Sequence, residues 1–285
     1  MHSSSVAIAI TFMAWHFPET DWQPNVIKRV ISPLKSSTLV VKVETDKGDA
    51  FLKGLGNPAG NESLAFELVG TRLARLVGLP TPDFTVITHD FLEIPKLDSS
   101  LVEFGPVFLS KQLEGSPGGG KAFLDGLINP ETVPLLVAFD TWLTNYDRCP
   151  PMDALDPTPN WDNIFFEPEG RKNRLVVFDH THCFAQGMLE DALHENSYRD
   201  DASIYGMFPE FSNLLDEWNL RKAVLKIMQV DAAAIQDVIA YIPDEWLAGA
   251  TIRNEWSRQI IARRAGLEKT LLDFVTAQGR LEFPE

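Results

Sequence analysis

Short β-type runs crowd the first third of the chain. Val26 to Ile31 alternates with polar Lys28 and Arg29, Thr38 to Val43 is β-branched, and Ala50 to Lys53 follows the turn Asp46 to Asp49. A helical period then takes over from about Glu62 to Leu76. Leu64, Leu68, Leu73 and Leu76 share one face, and Gly78 sits where a helix would stop. Thr85 to Thr88 and Val107 to Leu109 read as further strands, separated by a polar excursion over residues 89–104. The run from Glu114 to Gly120 contains Pro117 and four glycines and reads as a connector. Beyond it the spacing is mainly helical, with predicted helices over 133–143, 213–229, 232–241 and 253–274. One β interlude breaks this pattern: Ile164 to Phe166 and Leu175 to Phe178, joined by the turn Glu167 to Arg174. The pattern predicts an α+β chain of two lobes, an antiparallel sheet plus one helix at 1–113 and a mainly helical lobe at 121–285, joined by residues 114–120.

Composition narrows the setting. Of 285 residues 45% are hydrophobic and 23% charged, the balance of an ordinary globular protein. A formal net charge of −15 argues against nucleic acid or an anionic membrane as the main partner. Two cysteines provide no disulfide framework, so a reducing cytoplasm is expected. The apolar run Val6 to Trp15 has no Lys or Arg before it and is too short to span a bilayer. It is read as a strand or short element packed on the first lobe.

The chemistry gathers between Asp140 and Phe184. A helix ends in the polar turn Asn145 to Arg148, Asn163 opens one strand of the β interlude, and Asp179 closes its partner. This order suits phosphoryl transfer from a nucleotide triphosphate. Such chemistry needs one carboxylate near the acceptor hydroxyl, and an Asn and an Asp to hold magnesium against the phosphates. Asp147 is the candidate base or acceptor-orienting group; Asn163 and Asp179 are the candidate metal ligands. Taken singly, each is also an ordinary turn residue.

At these positions the chain resembles the HipA-like kinases, distant relatives of protein kinases and phosphoinositide kinases. NYDR (145–148) resembles the family's N-x-D-R catalytic loop, DNIFF (162–166) its metal-binding Asn block, and VFDHTHCF (177–184) its form of the DFG segment. FELVGTRLARLVGLPTP (66–82) is similar to the family's helix and Gly-Leu-Pro turn. The resemblance covers roughly residues 30–185 and implies a protein kinase-like fold that uses ATP and Mg2+. It implies that Lys53, at a strand end, contacts the α- and β-phosphates and pairs with Glu67, with Glu62 as the competing partner. It further implies that Ser36 and Ser37 lie in a phosphate-covering loop, and that the backbone of Phe108, Leu109 and Ser110 leads into a hinge that reads the adenine edge. The acceptor would be a hydroxyl, on protein Ser/Thr or on a small molecule.

Two departures keep other readings open. The loop from Ser32 to Ser37 has no glycine, and residues 149–162 intervene where kinases place about four residues between Asp and Asn. That insertion must loop out for the site to close. A non-catalytic nucleotide-binding scaffold is one alternative. A zinc hydrolase built on His180, His182, Cys183 and Cys149 is another, although no H-E-x-x-H or C-x-x-C is present. The acceptor, the biological role and the oligomeric state are not encoded in any motif.

Overall fold

Gly48 takes φ of 101°, the left-handed region that glycine enters without strain, and there the chain reverses between its second and third strands. In this computed structural model the described residues are Trp15 and residues 17–281. The predicted element at Val6 to Trp15 lies outside them except for Trp15. Strands β1 (Ile27–Pro33), β2 (Val41–Thr45), β3 (Gly48–Lys53), β4 (Phe84–His89) and β5 (Gly105–Lys111) form one sheet in the order β1-β2-β3-β5-β4. All its pairings are antiparallel. Helix α1 (Glu62–Val77) packs on this sheet and ends at Gly78, whose φ of 85° allows its N–H to meet the carbonyls of Ala74 and Arg75.

The strand expected to lead into a hinge is β5. Phe108, Leu109 and Ser110 lie inside β5, which is bonded to β3 on one side and β4 on the other. Their backbone groups belong to two ladders and are not free to read a base. After the strand the Gln112 N–H still donates to the Asp49 carbonyl at 3.0 Å, so the backbone beyond the ladder begins at residues 113–115.

The connector is ordered by close packing. Strand β6 (Ser116–Pro117) pairs with β7 (Ile164–Glu169), which pairs with β8 (Lys172–Val177). A Cβ on Gly119 would lie 1.8 Å from a ring carbon of Trp161, and one on Gly115 would lie 2.3 Å from the Phe166 carbonyl oxygen. These glycines therefore serve contact as well as turning.

The second lobe is built around α3 (Thr132–Leu143), every residue of which is buried. Short helices α2 (Lys121–Leu124), α4 (Leu189–His194) and α5 (Ser197–Asp200) flank it, and α6 (Glu217–Met228), α7 (Ala232–Ala240) and α8 (Ala250–Leu281) close it. The single helix expected from Asn213 is divided because Asp216 accepts the Asn219 N–H at 2.7 Å and starts α6 afresh. One apolar cluster joins α1 to α3, β8 and the C-terminal helices, so the two lobes share a core.

Gly119→Ala is expected to cost about 1–3 kcal/mol through overpacking against Trp161. Gly187→Ala, which meets no atom within 4 Å, should stay within about 0.5 kcal/mol. Calorimetric unfolding of the two variants measures the difference.

Candidate active site

Lys53 ends β3 pointing into the interface between the lobes, where it is only 8% exposed. A buried ammonium persists as a charge only if it is paired. Its Nζ donates to Glu67 Oε2 of α1 at 2.8 Å and to Asp179 Oδ1 at 2.9 Å. Burial opposes its charge, but Asp179 and Glu67 outweigh that and hold its pKa above the usual lysine value. Burial alone would raise Asp179, yet Lys53 and the Thr181 hydroxyl bring it well below the carboxylate range. Glu62 is engaged elsewhere: its Oε2 accepts the Leu189 N–H at 3.0 Å.

Glu67 also accepts the His180 N–H at 3.0 Å, tying α1 to the segment after β8. His180 is fully buried and packs so closely on Gly70 that a Cβ there would lie 2.4 Å from the His180 Cβ. Burial, with Arg148 nearby, keeps its imidazole well below its ordinary pKa and therefore neutral. His182 turns the other way, its Nε2 3.2 Å from Ser37 Oγ. The two histidines do not share a face, and both cysteines are buried free thiols. Among the described residues no group of three or more His, Cys, Asp and Glu side chains is arranged to hold a metal ion. The zinc alternative loses its geometry.

On the other lobe Asp147 is half-buried and its Oδ2 accepts Asn163 Nδ2 at 2.6 Å and Asn160 Nδ2 at 3.5 Å. This bond directs the Asn163 amide nitrogen to Asp147 and leaves its oxygen for another partner. Asp179 gives Oδ1 to Lys53 and Thr181, and among the described residues no donor meets its Oδ2. Two uncommitted hard oxygens are donors of the kind that Mg2+ takes.

Arg148 is fully buried and links these parts. It pairs with Asp140 of α3, donates Nε to the Asn163 carbonyl at 3.2 Å, and donates Nη2 to the Phe178 carbonyl at 2.7 Å. From the sequence Arg148 could equally orient the loop that holds Asp147, neutralise transferred phosphate or form a surface ion pair, and its complete burial excludes the last. The insertion does loop out: the Asn160 N–H donates to the Arg148 carbonyl at 2.8 Å, closing residues 149–159 at their base. In the loop between β1 and β2, Ser36 Oγ accepts the Val40 N–H at 2.9 Å, so its side chain braces the turn, while Ser37 reaches towards His182.

The family model for HipA-like kinases matches residues 40–271. The chain belongs to the HipA-like kinase family. Among solved structures it is similar to the Helicobacter pylori proinflammatory kinase CtkA, at 12% identity and TM-score 0.58, over 88% of this chain and 97% of that one. It also matches a Shewanella oneidensis HipA, solved with HipB and operator DNA, at 13% identity and TM-score 0.42, over 91% of this chain and 70% of that one. No curated protein matches. This HipA-like kinase thus has the protein kinase-like fold and the phosphotransferase activity of its family. Among its described residues no helix is long and apolar enough to cross a membrane.

Two measurements follow for this kinase. Asp179, with a lowered folded pKa, stabilises the fold above the unfolded Asp value of about 4, and that contribution is lost as pH falls from there through the folded value. Asp179→Asn should therefore show a shallower decline of unfolding free energy below about pH 4 than the wild type in urea titrations. Arg148→Met strands the buried Asp140 carboxylate and should cost about 3–5 kcal/mol. Adding Asp140→Leu should restore more than half of that loss, as read from denaturant midpoints and slopes.

Proposed function

We propose that this kinase transfers the γ-phosphoryl group of ATP, with Mg2+, to a hydroxyl of a protein Ser or Thr. The observation that carries the reading is the pairing of Lys53 with Glu67 and Asp179 across the lobes, opposite the Asp147–Asn163 pair. Lys53, fixed by Glu67, contacts the α- and β-phosphates. Asn163 and Asp179 hold Mg2+, which when bound neutralises charge on the phosphates. Residues 113–115, beyond the strand that holds Phe108 to Ser110, are where backbone groups meet the adenine. Ser37 and the turn braced by Ser36 lie over the phosphates.

Asp147 orients the acceptor hydroxyl and takes its proton. The acceptor oxygen bonds to the γ-phosphorus as the bond from that phosphorus to the β–γ bridging oxygen breaks, and ADP leaves with that oxygen. Arg148 acts indirectly, by holding the backbone of Asn163 and Phe178 in register. The protein acceptor rests on the family resemblance, and a small-molecule alcohol is the competing acceptor. The lack of metal-cluster geometry around His180 and His182 favours the kinase reading over the hydrolase.

The test is thermal unfolding with ATP, with magnesium and with both. A rise that needs ATP and magnesium together, and is absent in Asp179→Asn, is expected from binding linkage. Asp147→Asn should keep most of that rise while phosphate transfer falls at least 100-fold. Equal loss of nucleotide binding in both variants would sink this division of roles.

A further inference from the structure

The insertion that separates Asp147 from Asn163 is more than a tolerated excursion. Its base is clamped: Cys149 Sγ donates to the Met207 carbonyl at 3.2 Å, and the Gly206 N–H donates to the Cys149 carbonyl at 2.9 Å. Behind it Trp161 packs on Phe208 at a ring distance of 4.4 Å. Pro150, Pro151, Pro157 and Pro159 restrict its backbone further. A surface held this way is preorganised, which lowers the entropy lost when something binds.

That surface is concave and apolar. A hollow of about 390 Å³ lies between Cys149, Met152 and Pro159 of the insertion and Met207. A second, of about 460 Å³, lies between Leu124, Leu127 and Leu214. Pro209 and Ser212 wall both, so the two hollows adjoin. Met152 is 71% exposed at the rim, and Leu155 projects fully into solvent. Cys149, in the wall of the first hollow, follows Asp147 by two residues in the chain.

The charge around it has one sign. Asp125 and Glu210 line the second hollow, and no Lys or Arg lines either one. Asp153 and Asp156 stand exposed on the insertion, and no Lys or Arg occurs between Arg148 and Arg171. Arg148 itself is buried and supplies no positive charge to the rim. Glu210 is close enough to act on Cys149, whose thiol burial first, and then Asp140 and Glu210, push up to about 12. Such a field attracts cationic partners and repels acidic ones.

We propose that these adjoining hollows seat the acceptor, an extended cationic segment of a protein substrate whose apolar side chain fills the Cys149–Met207 hollow while its Ser or Thr hydroxyl reaches Asp147. This rests on the ATP-dependent reading of the site and names its substrate class. The walls give affinity through apolar burial, and Asp125, Asp153, Asp156 and Glu210 select the charge. A small alcohol would fill neither hollow.

The test is phosphate transfer from ATP and magnesium to three synthetic Ser peptides. One has Lys and Arg flanks with a Leu near the Ser, one has Glu flanks with the same Leu, and one has basic flanks with the Leu replaced by Ser. The expected result is a KM for the first peptide at least tenfold below that of either other. The exposed substitutions Asp153→Lys and Glu210→Lys together should raise that KM about tenfold with the KM for ATP unchanged, and Met152→Asp should erase the preference for Leu. Equal use of all three peptides, a preference for Glu flanks, or transfer to small alcohols alone would overturn the proposal. If an ATP–magnesium thermal rise is present and lost in Asp179→Asn, the nucleotide site survives that result; if the rise is missing, both readings fall.

Discussion

A single ammonium group, Lys53 Nζ, ties together three parts of the chain that are remote in sequence. Left alone at that depth it would shed its proton, because burial disfavours charge. Glu67 from α1 and Asp179 from the segment after β8 together outweigh that burial and keep it charged. The sheet, the helix and the second lobe must therefore meet with one geometry. Glu67 extends the constraint by accepting the His180 N–H, and Gly70 lets His180 approach the helix. A carboxylate that binds both a lysine and a backbone N–H sets position more strictly than either bond alone.

Arg148 plays the corresponding part on the other side of the cleft. Its guanidinium spends its donors on Asp140 and on the carbonyls of Asn163, Phe178 and Asp179. The planar fork of arginine suits this divergent set of acceptors, and lysine would not replace it. Closure of the insertion follows from the same residue, since the Arg148 carbonyl receives the Asn160 N–H. Residues 149–159 can thus loop out without separating the side chains of Asp147 and Asn163, which remain 2.6 Å apart. The constraint that preserves the chemistry also leaves the insertion projecting beside it as a formed surface.

Local pattern was enough to find most elements of this kinase. Alternation marked β1, β-branched residues and a turn marked β2 and β3, and helical spacing with Gly78 marked α1 nearly to the residue. The helix predicted from residue 232 starts at a cap that bonds within its own turn: the Asp231 side chain accepts the Ala233 N–H at 3.0 Å. Where the pattern said less, the cause lay across the chain. Phe108 to Ser110 are in the strand the pattern predicted, but only the sheet order β3-β5-β4 shows that both its edges are paired. The glycines at 115–120 looked like punctuation, while two of them are required by Trp161 and by the Phe165–Phe166 strand.

The sequence by itself determined the residue types and their order: a lysine ending a strand, an acid on the next helix, and an Asp, an Asn and an Asp spaced along the second lobe. Side-chain chemistry and periodicity are local properties, and so they could be read without coordinates. Tertiary structure decided which of Glu62 and Glu67 meets Lys53, that His180 and His182 diverge, and that Arg148 is wholly buried. Those outcomes depend on packing between segments up to 145 residues apart, as between Ser37 and His182, and no local spacing encodes such distances.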